Sequence, residues 1–226
     1  MMEGVESAAA AAYDAWFERP WGRYAFAVER GAVLSALGPL RGRVVLDAGC
    51  GTGRFSRAIV EAGAFVVGLD RDRAALRLAA GRASAVACGD ASALPFADET
   101  FDSCVAVTLC EFIDEPIRVV EELVRVARPG GRVIIGSLNR RSAWGLAHWR
   151  QFQRPPWTSA KFINQRQLEQ SAMRLGRTRR RSALYAPGHL PCIERWGPLL
   201  ERVGGAARGL AAFQLVIVDK VSRSDG

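Results

Sequence analysis

With 226 residues the chain has the size of one α/β domain, and with 49% hydrophobic residues it can bury a full core, which excludes an extensively disordered protein. Its longest apolar runs are strand-sized, against the roughly 20 residues a membrane-spanning helix needs, and five cysteines without a CxxC pair exclude a disulfide framework or a zinc site. The net charge of +8 comes almost wholly from arginine, which suits either an anionic partner or a GC-rich coding sequence.

The alanines Ala8–Ala12 have no basic flank before them and lead into Tyr13-Asp14, so they read as the start of a helix and not as a signal peptide; the cytoplasm is the expected location. Helical patterns are expected over Ala8–Phe17 and Tyr24–Leu37, separated by Pro20-Trp21-Gly22, with Phe26, Val33, Leu34 and Leu37 on the buried face of the second. From Gly42 to Leu138 short β-branched runs alternate with helical ones. Strands are expected at Arg43–Asp47, Phe65–Leu69, Ala85–Cys88, Phe101–Val107 and Arg132–Ser137, and helices near Arg54–Ala62, Arg73–Arg82 and Pro116–Val126. The last helix stops at Arg128-Pro129-Gly130-Gly131, which predicts a turn. Such alternation calls for a parallel sheet with right-handed crossovers. Beyond Asn139 the pattern predicts helices at Asn164–Leu175 and Cys192–Val203 and strands at Arg177–Ala186 and Phe213–Val218, the last an antiparallel addition near the sheet edge.

The segment Val44-Val45-Leu46-Asp47-Ala48-Gly49-Cys50-Gly51-Thr52-Gly53-Arg54-Phe55 joins a buried strand to a helix through glycines at alternate positions. Bare backbone there lets the chain turn sharply and lets a ligand approach the amides of a helix N-terminus. The spacing is GxGxG and not the GxGxxG of nicotinamide enzymes, which disfavours a dehydrogenase. An acid, Asp47, precedes the loop. A second, Asp70, closes the next strand about 20 residues on, where an acid can accept both ribose hydroxyls. A third, Asp90, follows the third strand. Cys50 has no histidine or acid spaced to activate it and is read as a small loop residue.

The glycine loop and the acids at three strand ends resemble the class I S-adenosylmethionine-dependent methyltransferases. The segments Leu94-Pro95-Phe96-Ala97-Asp98-Glu99-Thr100-Phe101-Asp102 and Leu123-Val124-Arg125-Val126-Ala127-Arg128-Pro129-Gly130-Gly131 are similar to those of the small-molecule branch that includes quinone C-methyltransferases. The resemblance implies an α/β fold, Rossmann-like and doubly wound: a seven-stranded, mostly parallel sheet with a C-terminal antiparallel strand and helices on both faces. It implies one methyltransferase domain over residues 1–226, with an N-terminal helical lid (1–40), a cofactor-binding core (42–138) and a substrate-side segment with the C-terminal strands (139–220). It also implies roles. Asp47 and the loop of Gly49, Cys50, Gly51 and Gly53 would hold the methionine end of the cofactor, and Asp70 the ribose hydroxyls with Arg71 beside the adenine. Asp90 would accept from the adenine amino group and the Ala91 amide would serve a ring nitrogen. Thr108 and Leu109 would lie near the methionine backbone, and Tyr13, on the lid, would reach the carboxylate.

After the fourth strand the chain departs from many relatives. Thr108-Leu109-Cys110-Glu111-Phe112-Ile113 contains neither histidines nor Asn-Pro-Pro-Tyr, which counts against methylation of DNA bases or protein glutamine and leaves the acceptor atom (O, N or C) open. His148 and Glu111 are the candidate general bases, with structural roles as the alternative; His189 is read as a turn residue. Trp16, Phe17, Trp21, Trp144, Trp149, Phe152 and Trp157 suit an apolar or aromatic acceptor. The basic run Arg174, Arg177, Arg179, Arg180 and Arg181 admits an RNA acceptor, or is a charged edge strand. The expectation is methyl transfer from S-adenosylmethionine, leaving S-adenosylhomocysteine, to a small metabolite. An RNA methyltransferase and a non-catalytic cofactor-binding protein are the alternatives; no metal is expected.

Overall fold

The computed structural model describes residues 14–147, 160–161, 165–186, 193–205 and 208–221. Seven strands form one sheet: β1 (Val44–Ala48), β2 (Phe65–Asp70), β3 (Ala85–Cys88), β4 (Phe101–Val107), β5 (Ala127–Leu138), β6 (Arg177–Ala183) and β7 (Phe213–Asp219), in the order β3-β2-β1-β4-β5-β7-β6. The first five pair in parallel, and β7 runs antiparallel between β5 and β6. The described helices are α1 (Pro20–Leu37), α2 (Arg54–Glu61), α3 (Arg73–Ala79), α4 (Pro116–Val126), α5 (Ala143–Ala147), α6 (Gln165–Ala172) and α7 (Ile193–Gly204). This is the doubly wound, mostly parallel architecture that the sequence predicts.

The alternation of side chains along the strands explains why both faces of the sheet are covered. Val45, Val105, Val107, Ile134, Leu215 and Ile217 point into one core, shared with α1, α2 and α7. Leu46, Cys104, Ala106, Val133, Ile135, Val216 and Val218 point into the other, shared with α4 and α6. Strands buried on both faces read as unbroken apolar runs, because βαβ crossovers leave no face for water. Phe213 marks how tightly the first core closes. It is fully buried opposite Leu138, and a Cβ on Gly136, two residues along the facing strand, would stand 2.6 Å from its ring. Phe213→Ala is expected to cost about 3–5 kcal/mol through lost burial and the cavity left behind. Denaturant unfolding checks this; a loss below about 1 kcal/mol would mean the site refills.

Two boundaries differ from the sequence reading. Pro20-Trp21-Gly22 begins α1, and the break between the helical residues 14–16 and α1 falls just before it, at 17–19: proline suits the first helical turn, where no amide partner is needed. The buried positions of α1 are Trp21, Gly22, Ala25, Val33, Ala36 and Leu37, and Phe26 and Leu34 are only partly buried. The turn expected at 128–131 is present but lies inside β5, whose 12 residues begin at Ala127. Gly130 sits at φ +74° there, and the turn is pinned where the Gly130 amide donates to the Lys220 carbonyl and the Lys220 amide donates to the Gly131 carbonyl. A register shift between Phe101 and Ser103 takes up the irregularity. Arg132 then ties layers together, bonding Asp219 at 2.7 Å and the Ala36 carbonyl near the end of α1.

Of the expected lid, α1 packs along β5, β6 and β7 as part of the core, and Asp14–Phe17 reach toward the C-terminal ends of the parallel strands.

Candidate functional site

The strand order reverses around β1, so the loops leaving β1 and β4 diverge and open a crevice at the carboxyl ends of the strands. A cavity of about 300 Å³ lies there, within the range of small-molecule sites. Its lining draws on each strand-end segment singled out in the sequence: Asp47, Gly49, Cys50 and Gly51 after β1, Asp70 and Arg71 after β2, Asp90 and Ala91 after β3, Thr108 and Leu109 after β4.

The glycine loop is held in one shape from both sides. The Gly49 and Cys50 amides both donate to the Leu69 carbonyl, at 2.7 and 3.0 Å. Gly49 has φ +69°, and a Cβ there would strike Leu109 at 2.5 Å, so loop and β4 end are fitted to each other through bare backbone. Gly53, at φ +82°, starts α2 against the Cα of Ala79, where a Cβ would stand 2.9 Å away.

The acids differ in what they hold. Asp47 is 2% exposed and accepts from the Ser56 hydroxyl of α2 at 2.6 Å. Burial pushes its carboxyl up to about 7, with the charge of Asp70 adding and the Ser56 bonds opposing. Asp70 accepts from the Gly51 amide at 2.7 Å through one oxygen and from the Asp72 amide at 2.9 Å through the other. Each oxygen keeps a further lone pair, so Asp70 both props the loop and can accept from a ligand. Asp90 is exposed, and the Ser92 amide and hydroxyl on one oxygen hold its carboxyl below the usual carboxylate range. Cys50 is no nucleophile: burial, then the charges of Asp47 and Asp70, push its thiol up.

Sequence reasoning missed the polar part of the rim. Asp14 accepts from Thr52 Oγ1 (2.8 Å), Arg54 Nε (2.7 Å) and both Arg82 terminal nitrogens (3.0 and 2.6 Å), while Arg54 also bonds the Asp14 carbonyl and Glu18. The Arg54 guanidinium lies 4.7 Å from the centre of the Phe17 ring, and Phe17 packs edge-on against Phe26, which does the same to Phe55. Phe17, Phe55, Phe112 and Ile113 complete the apolar side of the cavity. Tyr13, Trp16 and Phe17 are singled out from this segment in the sequence but Asp14 is not, and its partners lie 38 to 68 residues away.

Of the other sequence candidates, Tyr13, His148 and His189 lie outside the described residues, as do Trp149, Phe152, Trp157 and the side chain of Trp144. Glu111 is fully buried, outside the cavity lining, and accepts from the Leu138 amide at 2.7 Å. In the basic run, Arg179 pairs with Asp219, Arg180 with Glu169 and Arg181 with the Ser35 hydroxyl. No group of three metal-ligating side chains is found among the described residues.

Comparison with known proteins adds a family. Residues 46–135 match the model of the methyltransferase domain. An uncharacterized protein of Methanocaldococcus jannaschii is 30% identical over 165 residues, 73% of this chain and 76% of its own length. The demethylmenaquinone methyltransferase of Renibacterium salmoninarum is 35% identical over 112 residues, 49% of this chain and 47% of its own. The chain thus spans about half the length of that relative, and likewise 55% of a 35% identical protein of Mycobacterium tuberculosis. Among solved structures, a Thermotoga maritima protein described as an S-adenosylmethionine-dependent methyltransferase, possible histamine N-methyltransferase, superposes with a TM-score of 0.75 at 25% identity, covering 95% of this chain and 97% of that one.

Proposed function

The chain belongs to the family of S-adenosylmethionine-dependent methyltransferases, and on that premise we propose that it methylates a small-molecule acceptor within the crevice at the ends of β1, β2 and β4. One observation carries the reading: the glycine loop, Asp70, Asp90 and Thr108, spread over 60 residues of sequence, face one cavity.

The residues fit the cofactor. Gly49 and Gly51 leave the backbone uncovered where the methionine end would lie, with Asp47 beneath and the β4 end, Thr108 and Leu109, beside it. Asp70 has lone pairs left for two hydroxyls, as a ribose requires, with Arg71 next to it. Asp90 offers the oxygen that Ser92 does not occupy to an exocyclic amine, next to the buried Ala91. When bound, S-adenosylmethionine supplies an electrophilic methyl group for in-line displacement. The chain's contribution is alignment and exclusion of water. Phe17, Phe55, Phe112 and Ile113 wall the cavity with apolar surface, and positioning of this kind lowers a barrier by several kcal/mol.

A small acceptor is favoured over RNA because three arginines of the basic run have partners within the protein and so serve the sheet edge. No described helix is long and apolar enough to cross a membrane. Calorimetric titration with S-adenosylmethionine, S-adenosylhomocysteine and NADH tests the reading. Binding of the two sulfur ligands without NADH is expected; NADH binding, or none at all, overturns it.

A further inference from the structure

Helix α7 (Ile193–Gly204) turns an apolar row toward solvent. Trp196, Leu199 and Val203 recur at i, i+3 and i+7 and so share one face, and they keep 53%, 53% and 67% of their surface exposed. Single exposed apolar side chains are ordinary, but a tryptophan and two aliphatic residues in one row mark a contact surface.

The opposite face of α7 fixes that orientation. Ile193 and Gly197 are buried. A Cβ at Gly197 would overlap the Tyr24 ring of α1, and one at Gly204 would overlap the Tyr185 ring. Between them Glu201 accepts from the Leu184 and Tyr185 amides at 2.9 and 2.7 Å and from the Tyr24 hydroxyl at 3.4 Å. Rolling the helix to bury Trp196 would break these bonds and leave backbone amides unpaired, so the row stays outward. Tyr24 also stacks on Trp21, ring centres 5.7 Å apart, which sets α7 against the start of α1, just after the segment whose Phe17 walls the cavity.

The charge beside the row says what it faces. Arg195 and Arg202, both exposed and seven residues apart, line up along one edge of it. The Arg195 guanidinium lies 5.6 Å from the centre of the Trp196 ring, and neither arginine has an acidic partner among the described residues. Glu194, the exposed acid of α7, stands two residues from Trp196 and so points away from the row. Apolar side chains edged by unpaired cations complement a surface that is apolar within and anionic at its rim, as a lipid bilayer is. A tryptophan ring settles among headgroups, aliphatic side chains reach the acyl boundary, and arginines stretch to the phosphates. A second copy fits worse, since two such rows packed antiparallel would set their arginines against each other. Nucleic-acid phosphates would use the arginines and leave the apolar row wet.

We propose that the Trp196–Leu199–Val203 face of α7, with Arg195 and Arg202, docks this protein onto anionic lipid membranes. The 12 residues of α7 lie on the bilayer and do not cross it, which would take roughly 20. Docking does not depend on methyl transfer and holds or fails separately from it.

Flotation of the full chain with lipid vesicles is the test. Vesicles of phosphatidylcholine and phosphatidylglycerol in equal parts are expected to carry the protein, and phosphatidylcholine alone to bind it about tenfold more weakly or less. A net charge of +8 draws the whole protein to any anionic surface, so the apolar row and the charge are varied apart. Trp196→Ala and Leu199→Ala, which leave the charge as it is, should each weaken binding about fivefold or more. Arg195→Gln and Arg202→Gln should each weaken it about fivefold at low salt. Brominated acyl chains should quench the fluorescence of the parent more than that of Trp196→Phe. Thermal midpoints should match the parent's, because these side chains face solvent. Absence of flotation with the mixed vesicles overturns the proposal. Binding that responds to the arginines but to neither apolar variant overturns it too, as adsorption of a basic protein. A dimer in light scattering that Trp196→Ala separates would assign the face to a second copy and overturn it as well.

Discussion

Replacing Asp70 with alanine is expected to weaken S-adenosylmethionine binding by about ten- to a hundredfold, the worth of one hydrogen bond to a charged group at about 1.5–3 kcal/mol. The loss has two sources. The carboxylate would no longer accept from the ribose hydroxyls, and the Gly51 amide, now 2.7 Å from Oδ2, would lose the partner that fixes the glycine loop. Asp70→Asn separates the two. Its amide oxygen can keep one backbone bond, but its NH2 group presents donors where hydroxyl donors must be received, so binding should fall between wild type and Asp70→Ala. Calorimetry reads both variants, with thermal melts as the control for folding. The sheet should survive, because Asp70 ends β2 and its carboxylate bonds only loop amides. Unchanged affinity in Asp70→Ala would sink the assignment of this acid to the cofactor.

What the sequence disclosed and what it concealed follow from the range of the interactions. The strand, the GxGxG loop and the helix after it are contiguous, and the loop's shape is set by glycines at φ +69° and +82°, where a Cβ would also strike Leu109 and Ala79. That unit is readable from a dozen residues. The acids after β2 and β3 are readable because a βα repeat brings every second element boundary to the same end of the sheet. On α1 the stripe Phe26, Val33, Leu34 and Leu37 caught Val33 and Leu37 of the buried face but not the small residues Gly22, Ala25 and Ala36 that share it. Packing α1 on a sheet favours small side chains at the contact, and hydrophobicity alone does not see them. The turn at Pro129-Gly130-Gly131 was legible locally, whereas its place inside β5 was not, because that depends on pairing with Lys220, far along the chain.

Asp14 belongs to the class that no local pattern discloses, and removing it is expected to open the pocket without unfolding the protein. One carboxylate gathers Thr52 of the glycine loop, Arg54 of α2 and Arg82 beyond α3, and so clips the segment carrying Phe17 onto the cavity. Burial raises its carboxyl, but the bonds from Arg82, Arg54 and Thr52 outweigh that and hold it at about 2, against an ordinary 3.8. A folded value below the unfolded one means that the stabilisation is fully present above about pH 4 and is lost as pH falls toward 2; its size is about 2 kcal/mol at most, given screening at the rim. In Asp14→Ala, release of S-adenosylhomocysteine should therefore speed up about tenfold, with the association rate little changed. The ratio of wild-type to variant release rates should be flat from about pH 5 to pH 8, because Asp14 stays ionised throughout. Stopped-flow displacement measures both. The point variant is the cleaner probe than deleting residues 1–22, which would also remove Trp21, a member of the sheet core. Release as slow in Asp14→Ala as in the parent would show that Phe17 is held by its aromatic neighbours alone, since Phe26 and Arg54 would still flank its ring.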